Sequence, residues 1–249
     1  MADRVAPTSP AAHRPGLSPR RAPLRRAPAL PTWVAKAIMA VTGMVLAAFV
    51  VVHMIGNLKV FSGAAHFDDY AAWLRTLLGP LVPPEGILWA LRVVLATCLV
   101  AHVGCAVVMV RRSGTSAGPH RRRPRPGVMS FGARSMLVTG VILLLFVVFH
   151  VLDMTIGTVP PAPESFVPGS PYANLVASFS RPWVAAFYGI TMLLLAVHIA
   201  HGVRTAAGDL GVTGLRSRAG FAVVGGLAAV AVLVGNAAIP LAVQVGWIS

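Results

Sequence analysis

The chain has 249 residues, of which 56% are hydrophobic and 11% charged, with a mean hydropathy of +0.76. Soluble domains average about 25% charged residues, so this composition excludes an ordinary soluble protein. The formal net charge of +14 points first to nucleic acid, but the placement of that charge argues for a membrane instead.

Residues 1–31 are rich in Pro, Ala and Arg and lack packing periodicity, which predicts a disordered basic tail. The apolar stretch that follows is too long for a signal-peptide core and lacks a clear small-residue cleavage site, so it is read as a first span. Five stretches are long enough to cross a bilayer, which takes about 20 residues each. They cover residues 33–55, 87–110, 131–156, 183–204 and 219–245. Trp33, Trp89, Trp183 and Trp247 fall near span ends, as an interfacial aromatic belt requires. Arg92 and Arg134 also lie near span ends, where a long side chain can reach the interface. The fifth span is rich in Gly, Ala and Val and holds no ionisable side chain, a composition suited to close helix packing.

The tail, the connection between the second and third spans, and the segment after the fourth carry almost all the positive charge. The other two connections are each slightly acidic. This positive-inside bias predicts an all-α five-helix membrane bundle with a cytoplasmic N-terminus and an external C-terminus. It replaces the nucleic-acid reading, and an Arg-rich tail also suits anionic lipid headgroups or an acidic partner.

Ionisable residues inside spans default to a functional hypothesis. His53, His102, His150 and His198 fall one in each of the first four spans. His53 and His150 lie 20 and 19 residues from the cytoplasmic starts of their spans, near the outer face. His102 and His198 each lie 15 residues along spans that run the other way, in the inner half. Two pairs at two depths, each drawn from two helices, are what two bis-imidazole haems stacked across a membrane require. The competing reading has each His bonded to a backbone carbonyl or a Thr on a neighbouring helix. His201, one turn past His198, is read as serving a propionate, a quinone or water. His13, His66 and His120 fall in the tail and connections.

In this order the residues resemble the cytochrome b membrane anchor of succinate dehydrogenase in its single-chain, five-helix form. The stretches that carry the resemblance are VHMIGNLKVFSG around His53, YAAWLR ending at Arg75, LWALR ending at Arg92, and AHVG around His102. RSMLVTGVILLLFVVFH ending at His150 and HIAHGVR starting at His198 complete it. The resemblance implies two b-type haems with axial ligands at His53, His102, His150 and His198. It also implies docking on a flavoprotein and an iron–sulfur subunit, and reduction of a membrane quinone at a bacterial cell membrane. The chain itself has no dinucleotide fingerprint and no Cys-rich cluster motif, so it works as one subunit of a larger complex.

Cys98 and Cys105 flank His102 at positions that share one helix face. Seven residues along a helix is about 10 Å, too far for a disulfide. They read either as packing residues or as part of a mixed Cys/His [2Fe–2S] centre in place of a haem. On one helix both sulfurs cannot reach a single iron, so that alternative needs a ligand from another helix. For the quinone the candidates are Arg134, Ser135 and His201 at the inner side, and Asp153 with Asn57 at the outer side. A cytochrome b anchor of another dehydrogenase or reductase is the other redox reading. A proton-coupled permease predicts broken helices or an inverted repeat, and the sequence has neither.

Overall fold

The computed structural model describes residues 30–115 and 128–249, with side chains described for 30–112 and 135–249. The tail expected to be disordered, the Arg-rich connection, His13, His120 and the Arg134 side chain therefore lie outside the described residues.

The order is α1 (Thr32–Asn57), a 3-10 turn (Leu58–Ser62), α2 (Ala64–Arg75), α3 (Gly86–Thr115) and α4 (Val128–Val151). A π turn (Leu152–Ile156), α5 (Pro171–Phe179), α6 (Pro182–Asp209) and α7 (Leu215–Gln244) follow. No strand occurs among the described residues. Five helices are long and apolar enough to cross a membrane: α1, α3, α4 with its π turn, α6 and α7. In hydrocarbon a helix is the open-chain solution that satisfies every backbone polar group internally.

The expected spans agree with these helices to within a few residues at most ends. Two short helices in the connections were not expected. α2 and α5 pack on each other at the end of the bundle where α1 finishes, here called the distal end. The Tyr172 amide donates to Asp68 Oδ1 at 3.0 Å, and the Phe67 and Tyr172 rings meet edge to face. α5 also touches the π turn, α6 and α7, and Gln244 Nε2 donates to the Phe179 carbonyl at 2.6 Å. The distal end is thus roofed by Val60, Phe67, Leu175 and Phe179, all buried.

α6 is the central helix, packed on α7, α1 and α4, whereas α3 leans on α1. Among the described residues α3 thus packs chiefly on α1, and α4 chiefly on α6. At the other, proximal end, Lys36 Nζ and Asp209 Oδ1 pair at 2.9 Å and tie the start of α1 to the end of α6. Arg112 Nη1 donates to Thr32 Oγ1 at 3.0 Å and ties α3 to α1.

The close approach of α6 and α7 depends on Gly225. A Cβ built there would lie 2.9 Å from Val203 Cβ. Small residues at such crossings let the backbones approach. Gly225→Leu is expected to cost about 1–3 kcal/mol by overpacking, read as a lower thermal transition of the detergent-solubilised protein.

Candidate functional site

The structure brings the four span histidines together in the two pairs that their depths predict. At the distal end His53 of α1 faces His150 of α4, with ring centres 5.9 Å apart and planes at 82°. At the proximal level His102 of α3 faces His198 of α6, with ring centres 6.5 Å apart and planes at 63°. On α1 and on α4 the two levels are 11 residues apart, from Thr42 to His53 and from Thr139 to His150. At 1.5 Å per residue that is about 16 Å along the bundle.

The hydrogen bonds decide which ring nitrogen is engaged. His102 Nδ1 lies 2.9 Å from the Met39 carbonyl, which only accepts, so Nδ1 carries the proton. Thr42 Oγ1 lies 3.4 Å from the same nitrogen and gives its own proton to the Ile38 carbonyl at 2.7 Å. His198 Nδ1 lies 3.0 Å from Thr139 Oγ1. Thr139 gives its proton to the Ser135 carbonyl at 2.8 Å, so here too Nδ1 donates.

His150 Nδ1 lies 3.2 Å from the Tyr188 hydroxyl. Tyr188 gives its proton to Asp153 Oδ2 at 2.9 Å and therefore accepts from His150. Three separate arrangements thus fix the same tautomer, with Nδ1 protonated and a lone pair at Nε2. Metal-bound histidines are oriented in this way. The carbonyl and Thr bonds of the competing reading are present, but they use Nδ1 and leave Nε2 available. His53 has no side-chain hydrogen bond among the described residues and is held by stacking on Phe49 at 5.3 Å.

Two imidazoles on opposite sides of one metal have ring centres about 6.2 Å apart, from about 2 Å per metal–nitrogen bond and about 1.1 Å from nitrogen to ring centre. The two observed separations bracket that value. The backbone beside the proximal rings is bare. A Cβ on Gly43 would stand 2.8 Å from His102 Cε1, whereas one on Gly140 would make ordinary contact with His198 Cε1 at 3.6 Å. These residues fit two bis-imidazole haems.

The two levels differ in surroundings. The distal pair sits among aromatic rings: Phe146 stacks on His150 at 5.7 Å, and Tyr188 meets Phe146, Phe149 and Phe179 edge to face. Beyond them lies a buried ion pair. Asp153 is fully enclosed, with Arg181 Nη2 3.0 Å from Oδ1 and Ser178 Oγ 2.8 and 2.7 Å from the two oxygens. Arg181 also donates to the Pro161 carbonyl at 2.6 Å. Asp153, the candidate for proton handling at an outer quinone site, accepts from Ser178, Arg181 and Tyr188 and is joined to the histidine level through Tyr188.

The remaining candidates fall as follows. Ser135 enters the proximal level through its carbonyl, which holds Thr139. Arg134 lies in the first part of α4, and its side chain is outside the described residues. His201 is half-buried one turn past His198, and its carbonyl accepts from Thr205. Cys98 is half-buried and Cys105 buried, both as free thiols. Among the described residues no three or more His, Cys, Asp or Glu converge as a metal-ligand set.

Sequence reasoning missed the roles of Met39, Thr42, Gly43, Thr139, Gly140, Ser178, Arg181 and Tyr188. The signal for Thr42, Gly43, Thr139 and Gly140 was present as a Thr-Gly step repeated on the first and third spans. The Tyr188 and Arg181 contacts join residues 28 to 38 positions apart and leave no local pattern.

Neither a curated protein nor a solved structure matches the chain. The model of the succinate dehydrogenase/fumarate reductase transmembrane subunit family matches residues 111–235, half of the chain, in a stretch that includes α4 with His150 and α6 with His198. The chain belongs to that family.

Proposed function

We propose that this chain is the cytochrome b anchor of a succinate:quinone oxidoreductase, holding two haems at two depths and delivering electrons to a membrane quinone. The observation that carries the reading is the pairing of four intramembrane histidines, three of them fixed with Nδ1 protonated and Nε2 available. His102 and His198 would hold the inner haem, and His53 and His150 the outer one. Bound haem iron supplies reversible one-electron chemistry.

The chain's own residues do the positioning. Met39 and Thr139 orient the inner imidazoles, and Tyr188 orients His150. Gly43 keeps the α1 backbone clear of the His102 ring. The positive-inside charge pattern sets the proximal end toward the cytoplasm, the side from which the flavoprotein and iron–sulfur subunits dock. Arg134, Ser135 and His201 are the side chains proposed for a quinone at this inner level. The cell membrane of a bacterium is the proposed location.

Anaerobic addition of succinate to the purified multi-subunit complex tests this reading. Growth of a b-type α-band is the expected result, and oxidation of the band on adding a soluble quinone should follow. A complex that reduces quinone with succinate while showing no haem absorbance would overturn the haem assignment. It would move attention to an iron–sulfur centre at Cys98 or Cys105.

A further inference from the structure

The two histidine levels are not equivalent, and the difference lies behind the rings. At the proximal level the Nδ1 protons go to neutral acceptors, the Met39 carbonyl and the Thr139 hydroxyl. At the distal level the His150 proton goes to a phenol whose own proton is given to a carboxylate. That carboxylate is held in place by Ser178 and by the Arg181 guanidinium, which is itself fixed on the Pro161 and Ser178 carbonyls.

The geometry of the segment supports the relay. Directly after α4 the chain widens into the π turn Leu152–Ile156 and stops at Gly157, which has a left-handed φ of 76°. Such turns often mark functional sites. Asp153 lies in this turn, fully buried, with Tyr188 reaching it from α6 and Ser178 from the end of α5. An ionisable side chain enclosed at this depth calls for a reason, and among the described residues its hydrogen-bonded route to the histidine level runs through the Tyr188 oxygen.

We infer that Arg181, Asp153 and Tyr188 form a positioning relay that makes His150 the more electron-donating imidazole and sets the outer centre at a lower reduction potential than its bare ligand pair would give. This rests on the haem reading above. A Tyr hydroxyl that gives its proton to a carboxylate is a better acceptor, because hydrogen bonds in a chain polarise one another. A stronger bond from Nδ1–H raises the basicity of the ligand nitrogen. A more basic ligand favours the oxidised metal, and such hydrogen bonding is one of the protein's levers on redox centres. Arg181 and Ser178 hold the carboxylate aimed without competing for the Tyr188 oxygen.

The test is a potentiometric titration of the visible spectrum of the whole complex, with haem content measured on the same samples. The outer component is identified as the one lost in His53→Leu. In Tyr188→Phe the ferrous-to-ferric ratio of that component at fixed potential should rise by at least about threefold, an upward shift of about 28 mV or more for one electron. The inner component should not move. Asp153→Asn should shift the same component in the same direction, and adding it to Tyr188→Phe should produce no further shift.

A change below about threefold in Tyr188→Phe, with both haems retained, overturns the relay and leaves the haem reading standing. An equal shift of both components also overturns it, since that is the mark of a general structural change. Absence of haem from the wild-type complex overturns both readings. If Tyr188→Phe does not assemble, 3-fluorotyrosine at position 188 decides. It keeps the hydroxyl, weakens it as an acceptor and should move the outer component alone upward, and no shift overturns the proposal.

Discussion

His150→Ala is expected to remove one of two haems from the complex, and His53→Ala the same one, because the two rings face each other at 5.9 Å. His102→Ala and His198→Ala should each remove the other. Haem per chain should fall from about two to about one in all four variants, since a bis-imidazole iron needs both rings. The spectral component lost should sort the variants into these two couples and no other. The double variant His53→Ala/His150→Ala should resemble either single variant. His53→Ala/His102→Ala should retain no haem, and pyridine haemochrome assay of the purified complexes checks each case. Had the histidines been packing groups, the four substitutions would have no reason to fall into pairs.

Asp153→Ala is expected to have the largest effect on stability of any single side chain outside the histidines. The substitution leaves Arg181, three-quarters enclosed, without its carboxylate, and leaves Ser178 and Tyr188 without their acceptor. Removing one partner of a buried ion pair typically costs about 3–5 kcal/mol, mostly because the other charge stays buried and unpaired. These contacts join the π turn to α5 and α6, so the roof over the distal level should loosen. The complex should lose yield and its outer haem together, while Asp209→Asn at the proximal end should cost no more than about 1 kcal/mol because the Lys36 it leaves behind is 43% exposed. Thermal unfolding of the two variants side by side, with haem content, measures the contrast.

The spans and the pairing were legible in the sequence for simple reasons. Bilayer thickness sets helix length, and a fixed rise per residue turns the position of each histidine into a depth. Since neighbouring spans run in opposite directions, His53 and His150 have to share one level, and His102 and His198 the other. No knowledge of helix packing is needed for that step.

What supports the rings was not legible. α2 and α5 are short and themselves form part of the roof over the distal end, so neither shows the long apolar run that marks a span. Tyr188 reads as one aromatic among several on α6, and its role depends on Asp153 being turned inward by the π turn. Arg181 reads as a span-end arginine at the interface, yet its guanidinium bonds Asp153, Ser178 and Pro161. Such contacts are long-range, and nothing in the local sequence selects them over the ordinary interfacial role.

The most direct measurement is the amount of b-type haem per anchor chain in the purified complex. The paired histidines predict about two, with a reduced-minus-oxidised spectrum that resolves into two components. One haem per chain would contradict the two-level arrangement, and none, with the chain intact and the complex assembled, would contradict the assignment of all four histidines. If acid-labile sulfide were found instead, the iron would belong with Cys98 or Cys105.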